Sequence, residues 1–336
     1  MISIASPTSQ RARCHCGHVD FIYTPSPPHT VYICHCTSCR HFLGAALCLP
    51  LIIHLPPSTG AKWEPDERLL EELQAYVFSP RLTYYFCARC SCKVVVRIGE
   101  HMPDGRPVTL WGVMVGTLDV VEDCLIFEAH EHVTDTIDGG LADALSHYAG
   151  KPVSRYAHGL YDEKLPDSSE PWRWARKDLP SSQDESIDAY CKCGSVKFSL
   201  HRHDERRFPA QLCLCDTCRL TSGLEMAAWM DVPTTSIKTD RGSGDENLDL
   251  GSWTDLRTYA ALPGCIRYNC STCGAAVFVV SDDKPDEVRV AAGLLDAAEG
   301  ARAETWAAWR TDGVGGGEDA FRRHPTLVQA LNQGMK

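Results

Sequence analysis

Seven cysteines occur twice along this chain, in the same order and at nearly the same spacing, and no other feature limits its possible folds so strongly. The first set is Cys14 and Cys16, then Cys34, Cys36 and Cys39, then Cys87 and Cys90. The second is Cys191 and Cys193, then Cys213, Cys215 and Cys218, then Cys270 and Cys273. The offset between copies is 177 at the first element, 179 at the second and 183 at the third. Drift that small marks a tandem duplication. Fourteen of the eighteen cysteines belong to the pattern, so the chemistry of the chain is organised around thiols.

A length of 336 residues suits about two domains. The repeat places the first over 10–163 and the second over 187–336. Residues 164–186 form a linker rich in Pro, Ser and charge, whose Trp172 and Trp174 are expected to pack on a domain surface or in the cleft. Met1 to Arg13 lacks the apolar core of a secretory signal. The most apolar stretch, Ala45 to Leu55, is interrupted by Pro50 and too short to span a bilayer. A cytoplasmic chain follows, with no membrane partner. In a reducing compartment its cysteines are thiols or metal ligands rather than disulfides.

The formal net charge of −11 argues against a nucleic-acid partner, because phosphate binding needs a basic face. Two four-thiolate and two three-thiolate zinc sites would take the chain to about −17. The basic run around Arg202, His203, Arg206 and Arg207 reads as a solvated loop.

Within each copy the hydrophobic pattern is mostly that of strands. The runs are His18 to Tyr23, Leu82 to Phe86, Lys93 to Ile98 and Val108 to Val115, then Ser195 to Leu200, Leu256 to Ala261, Ala275 to Val280 and Glu287 to Ala292. Thr37 to Leu43 and Asp216 to Ser222 read as short helical turns, each capped from inside its cysteine cluster. The run Gly116-Thr117-Leu118-Asp119 returns as Gly293-Leu294-Leu295-Asp296, so the duplication reaches into the framework. A helix is expected to close each unit, near Leu141 to Tyr148 and Thr326 to Asn332.

Seven ligands divide naturally into four and three. A structural zinc needs four protein ligands in a closed shell, whereas a reactive one keeps a position open. An early C-x-C and a late C-x-x-C joined by strand pairing resemble the knuckles of a zinc ribbon. Cys14, Cys16, Cys87 and Cys90 are assigned to one structural zinc, and Cys191, Cys193, Cys270 and Cys273 to its repeat. The triads Cys34, Cys36, Cys39 and Cys213, Cys215, Cys218 would each hold a zinc by one face. That gives two ions per domain, about four per chain. An inert triad completed by a fourth ligand, with His35 as one candidate, is the competing reading.

These motifs identify a resemblance. The first copy has Cys14-His15-Cys16-Gly17, Cys34-His35-Cys36 with Cys39-Arg40, and Gly44-Ala45. The second has Cys213, Cys215, Cys218-Arg219, Gly223, Arg267 and Cys270 to Gly274. Both resemble the glutathione-dependent formaldehyde-activating (GFA/CENP-V) family, over nearly the whole chain apart from the linker. The resemblance implies a mainly β chain of two tandem Mss4-like domains with zinc-ribbon-like knuckles and short helices. It also implies the same partition of zinc sites, and a carbon–sulfur lyase activity joining glutathione and formaldehyde as S-hydroxymethylglutathione, or reversing that step. The tandem arrangement resembles fungal members and points toward specialised metabolism. The copies depart from the family pattern. Tyr84 stands in the first where the family has arginine, Ser91 where it has glycine, and Leu214 in the second replaces His35.

The first copy keeps more of the active segment, so Cys34, Cys36 and Cys39 are favoured as the reactive site, with His35 and Arg40 placing substrate. Arg40 and Arg219 could offset thiolate charge, bind a carboxylate, or serve in ion pairs. The family's habit of carrying histidine near Glu128 to His132 makes His130 a pocket candidate. Cys48, Cys92, Cys124 and Cys265 read as ordinary buried thiols. The expected partner is a small molecule, a glutathione adduct foremost. A zinc enzyme acting on a carbonyl without glutathione and a non-catalytic zinc scaffold are the other readings.

Overall fold

The computed structural model describes residues 9–23, 29–46, 51–53, 63–101, 104–119, 122, 125–159, 162–166, 184–202, 204–239 and 248–336. Cys48, Cys124, Trp172, Trp174 and His203 lie outside them. Strands dominate, as the alternating runs imply, with five short α-helices among the described residues: α1 (Thr37–Leu43), α2 (Glu67–Glu71), α3 (Asp216–Ser222), α4 (Gly317–Arg323) and α5 (Pro325–Gly334).

In the first unit an antiparallel sheet runs in the order Leu51–Ile53, Pro107–Met114, Lys93–His101, Leu82–Cys87, Leu73–Val77. Its second-unit counterpart, Leu256–Leu262, Cys265–Cys270, Ala276–Ser281, Glu287–Ala291, continues through Ala227–Pro233 to Phe208–Cys213 and Ala307–Trp309. Lys93–His101 begins with four consecutive buried residues rather than an alternation. That is the mark of a strand covered on both faces. Each copy has a register shift just before its C-x-x-C, between Tyr85 and Phe86 and between Tyr268 and Asn269. A bulge there turns the chain into the knuckle.

Both helical turns beside the triads form where the sequence places them. Their caps are sulfur: the Cys36 and Cys215 thiols accept the Cys39 and Cys218 amides at 3.3 and 3.4 Å. Each ends at a left-handed glycine, Gly44 (φ 68°) or Gly223 (φ 80°). A Cβ on Gly44 would lie 2.2 Å from the Ala276 carbonyl oxygen, and one on Gly223 2.0 Å from that of Lys93. Glycine is therefore demanded twice, by backbone conformation and by the other unit's strand.

The contact is reciprocal. Gly116 donates its N–H to Gly223 O at 3.0 Å, and Ala45 packs against Gly293. His15 N–H bonds Leu220 O at the end of α3, and Lys192 N–H bonds His41 O in α1. The repeated Gly-Thr/Leu-Leu-Asp run and the glycine after each triad are thus the two halves of one interface. Arg219 crosses it to donate to Gly116 O and Leu118 O at 2.6 and 2.9 Å. Arg323 donates to Val115 O and Leu118 O, both at 2.8 Å, while paired with buried Glu225.

The helix expected over Leu141 to Tyr148 is absent. Gly139 and Gly140 take positive φ, a single 3-10 turn covers Gly140–Ala142, and His147–Tyr148 pairs with Lys151–Pro152. A segment that short needs packing to be helical. Here the packing is supplied by α5 of the second unit, which brings Gly334 against Ala144, while the Tyr148 hydroxyl bonds His324 at 3.0 Å. The second expected helix is present as α5.

Replacing Arg323 by Met strands Glu225 in the interface and is expected to cost about 3–5 kcal/mol in denaturant unfolding. The double variant with Glu225→Leu should recover most of that. Equal losses in both would show that the ion pair does not tie the units together.

Candidate metal centres and their surroundings

None of the described cysteines forms a disulfide. Their sulfurs converge instead into four groups, each within 4.8 Å: Cys14, Cys16, Cys87 and Cys90; Cys191, Cys193, Cys270 and Cys273; Cys34, Cys36 and Cys39; Cys213, Cys215 and Cys218. Measured edges run from 3.4 Å for Cys14–Cys16 and Cys191–Cys193 to 3.7 Å for Cys191–Cys270. A tetrahedral zinc–thiolate site with bonds of about 2.3 Å has edges of about 3.8 Å. Amides of Val19, Arg89 and Val196 donate to Cys14, Cys87 and Cys191, each at 3.4 Å, as suits ionised sulfur.

The thiols of each group cannot ionise together by themselves. Hydrogen bonding from Cys14 holds Cys87 far below the usual thiol range, and the same contacts push Cys90 far above it. In the first triad Cys36 is drawn down to about 2 by Cys34 and then Cys39, while Cys34 is pushed up. Only a bound cation would let every member be a thiolate. Cys92 is buried beside the first group, its Sγ on Lys93 O, and Cys265 is half-buried; neither belongs to a cluster.

His35 sits between two ligands on extended chain, so its ring leaves on the opposite side from their sulfurs. It is wholly buried, its Nε2 is 2.9 Å from His130 Nδ1, and His130 Nε2 donates to Leu145 O at 2.9 Å. The expectation that His35 places substrate meets a wholly buried ring: it and His130 form a hydrogen-bonded pair in the core. Arg40 stays beside its triad, 5% exposed, donating to Thr37 Oγ1.

The second triad has different surroundings. Arg267 Nη2 donates to Cys218 Sγ at 3.2 Å. That charge, after the hydrogen bonds from Cys213 and Cys215, holds Cys218 well below the usual range. Arg219 is saturated by Asp216 and the first unit's carbonyls. The position of Arg267 is Tyr84 in the first copy, packed on Phe42 with centroids 4.6 Å apart.

Each triad is also approached by the other unit's knuckle. His15 Nδ1 lies 2.6 Å from the Tyr259 hydroxyl, near Arg267, Asp216 and Cys218, and burial, then the Arg267 charge, draws its pKa below the usual histidine value. Lys192 Nζ reaches Ser38 Oγ at 3.2 Å and lies over Phe78 at 4.5 Å. These neighbours were missed in the sequence. Residues inside a C-x-C read only as knuckle, and the repeat does not say which knuckle meets which triad.

The family model for the glutathione-dependent formaldehyde-activating enzyme matches residues 9–133 and 186–312. A crystal structure of a Rhodobacter sphaeroides protein aligns with 37% of this chain and 99% of its own, at 18% identity and a TM-score of 0.27. No curated protein matches. No helix among the described residues is long and apolar enough to cross a membrane.

Burial draws His130 down to about 4, whereas a histidine in the unfolded chain titrates near 6.5. Between those values the unfolded chain binds the extra proton, so the stability that depends on His130 is full above about pH 6.5 and falls on acidification by about 1.4 kcal/mol per unit, with His35, held low by the same burial, adding to the slope. His130→Gln should flatten the slope of stability against pH in that window by about one proton, read by urea unfolding. An unchanged slope would show that the pair already titrates normally.

Proposed function

Because the chain belongs to the family of glutathione-dependent formaldehyde-activating enzymes, we propose that it is a zinc enzyme of the carbon–sulfur lyase type, acting on a thiol adduct of formaldehyde or a related carbonyl compound, with glutathione the thiol. The observation that carries this reading is the separation of two four-sulfur groups from two three-sulfur groups. The all-thiolate donor sets and their edges fit zinc. Cys14, Cys16, Cys87 and Cys90, with their repeat, would hold two structural ions, and the two triads would hold two more. Zinc on three thiolates supplies a Lewis acid with one position open.

The chain's own residues do the rest. The Cys39 and Cys218 amides keep the Cys36 and Cys215 sulfurs at the helix ends, so the triads are preformed. Arg267 opposes negative charge at Cys218, and the buried Arg40 does so beside Cys36. In the synthetic direction sulfur bonds to the carbonyl carbon, the C=O π pair moves to oxygen, and the thiol proton ends there. The reverse direction breaks the same S–C bond. A small-molecule substrate, without nucleic acid or membrane, and a reducing compartment such as the cytoplasm suit the free thiols and the charge of −11.

Metal analysis of the purified chain is expected to give about four zinc ions; about two would leave the triads outside the metal chemistry. With zinc loaded, NMR exchange between glutathione and labelled formaldehyde should accelerate, and Cys36→Ser with Cys215→Ser should abolish that acceleration while the fold persists. No acceleration by the loaded wild type would remove glutathione from the reading. A double variant that unfolds would make the triads structural.

A further inference from the structure

The duplication lets the surroundings of the two triads be compared position by position. Cys34 pairs with Glu131 and Cys213 with Gly315, both in parallel. The amides of His35 and Leu214 donate to the Glu131 and Gly315 carbonyls, each at 2.9 Å. The residues that follow, His132 and Gly316, are therefore equivalent. Both are left-handed, with φ of 57° and 67°. Glycine adopts that conformation freely, whereas a residue with a side chain seldom does. The first copy nevertheless carries an imidazole there.

Gly316 shows where that imidazole stands. A Cβ on it would lie 2.5 Å from both the Cβ and the amide nitrogen of Cys215. Cys36 is the counterpart of Cys215, so the His132 side chain leaves the backbone beside the middle thiol of the first triad. Its field reaches that sulfur: after the hydrogen bonds from Cys34 and Cys39, the His132 charge also draws Cys36 down. His132 is half-buried, and among the described residues no hydrogen bond or ion pair engages its ring.

The other donors near this triad are committed elsewhere. His35 pairs with His130 in the core, and Asp138 accepts the Gly140 and Arg302 amides. Imidazole is a common zinc ligand, and three thiolates leave one of four positions to fill. No ring nitrogen of His132 lies within 4.8 Å of all three sulfurs, so ligation takes a turn about its Cα–Cβ bond. We propose that His132 is the fourth ligand of the first three-cysteine site, closing it as a Cys3His zinc centre, while Gly316 leaves the second site open. The proposal rests on the reading that the triads hold zinc, and it moves the reactive centre to Cys213, Cys215 and Cys218. The copies cannot be made alike by Gly316→His, because its Cβ would strike Cys215.

Zinc release from the loaded full chain to a chromophoric chelator reads both sites without turnover. Of about four ions, the wild type is expected to give up about one quickly, from the second triad. His132→Gly suits the left-handed backbone and should give up about two quickly, the added ion leaving about tenfold faster or more. His132→Asn also tolerates that backbone but is a poor zinc ligand, and should match the glycine variant. Two fast ions from the wild type, or an unchanged release from both variants, would overturn the proposal. So would a crystal structure of the zinc-loaded chain without a His132 nitrogen about 2.0–2.1 Å from the first-triad ion. A total of about two ions would overturn both the proposal and the reading beneath it. The expected release without any lyase turnover would keep His132 as ligand and remove the lyase reading alone.

Discussion

The close approach of backbone at Gly44 and Gly223 governs the rest of this structure. Each glycine ends the helix beside a triad and lies against the first strand residue after the other unit's C-x-x-C, Ala276 or Lys93. No side chain fits there. Each triad is therefore held at the seam between units, where its helix packs against the opposing strand and the other unit's knuckle. A single unit would expose this face, including the buried start of Lys93–His101.

A seam lined by thiols needs positive charge nearby, and the buried cations supply it unevenly. Lys93, wholly buried, donates to Gly274 O, and burial lowers it to about 8 despite the thiols of Cys273 and Cys92 close by. Its counterpart in the second copy is Ala276. Arg219 satisfies its guanidinium on carbonyls of the first unit, whereas Arg40 leaves Nε and Nη1 without a partner. Arg267 faces Cys218, and Tyr84 replaces it in the first copy. The framework is symmetric, but the electrostatics around the two triads are not. That asymmetry leaves a small cavity beside the second triad, where the first copy has the buried rings of Tyr84 and Phe86.

Much of the fold was legible because its determinants are local. The strand runs, the two helical turns and the cysteine clusters follow from alternation, caps and ligand spacing, which act within a few residues. Where the reading failed, the deciding contact came from far along the chain. Leu141 to Tyr148 has a helix-like pattern, but Gly139, Gly140 and the packing of α5 against it favour a turn and a hairpin. His35 looked like a substrate-placing residue because it adjoins ligands, yet extended backbone sends its ring into the core, to His130.

By itself the sequence determined that the chain is a duplicated, mainly β, thiol-rich protein of two repeating units, and which cysteines group together. Ligand spacing and strand pattern carry that information within each copy. The tertiary structure alone decided that each triad lies at a shared seam, that His15 stands by the second triad and Lys192 by the first, and that Arg267 and Asn269 line a small cavity where the first copy has the buried rings of Tyr84 and Phe86. Those outcomes depend on how one copy's backbone fits against the other's, at separations over which neither hydrophobic period nor motif spacing carries a signal.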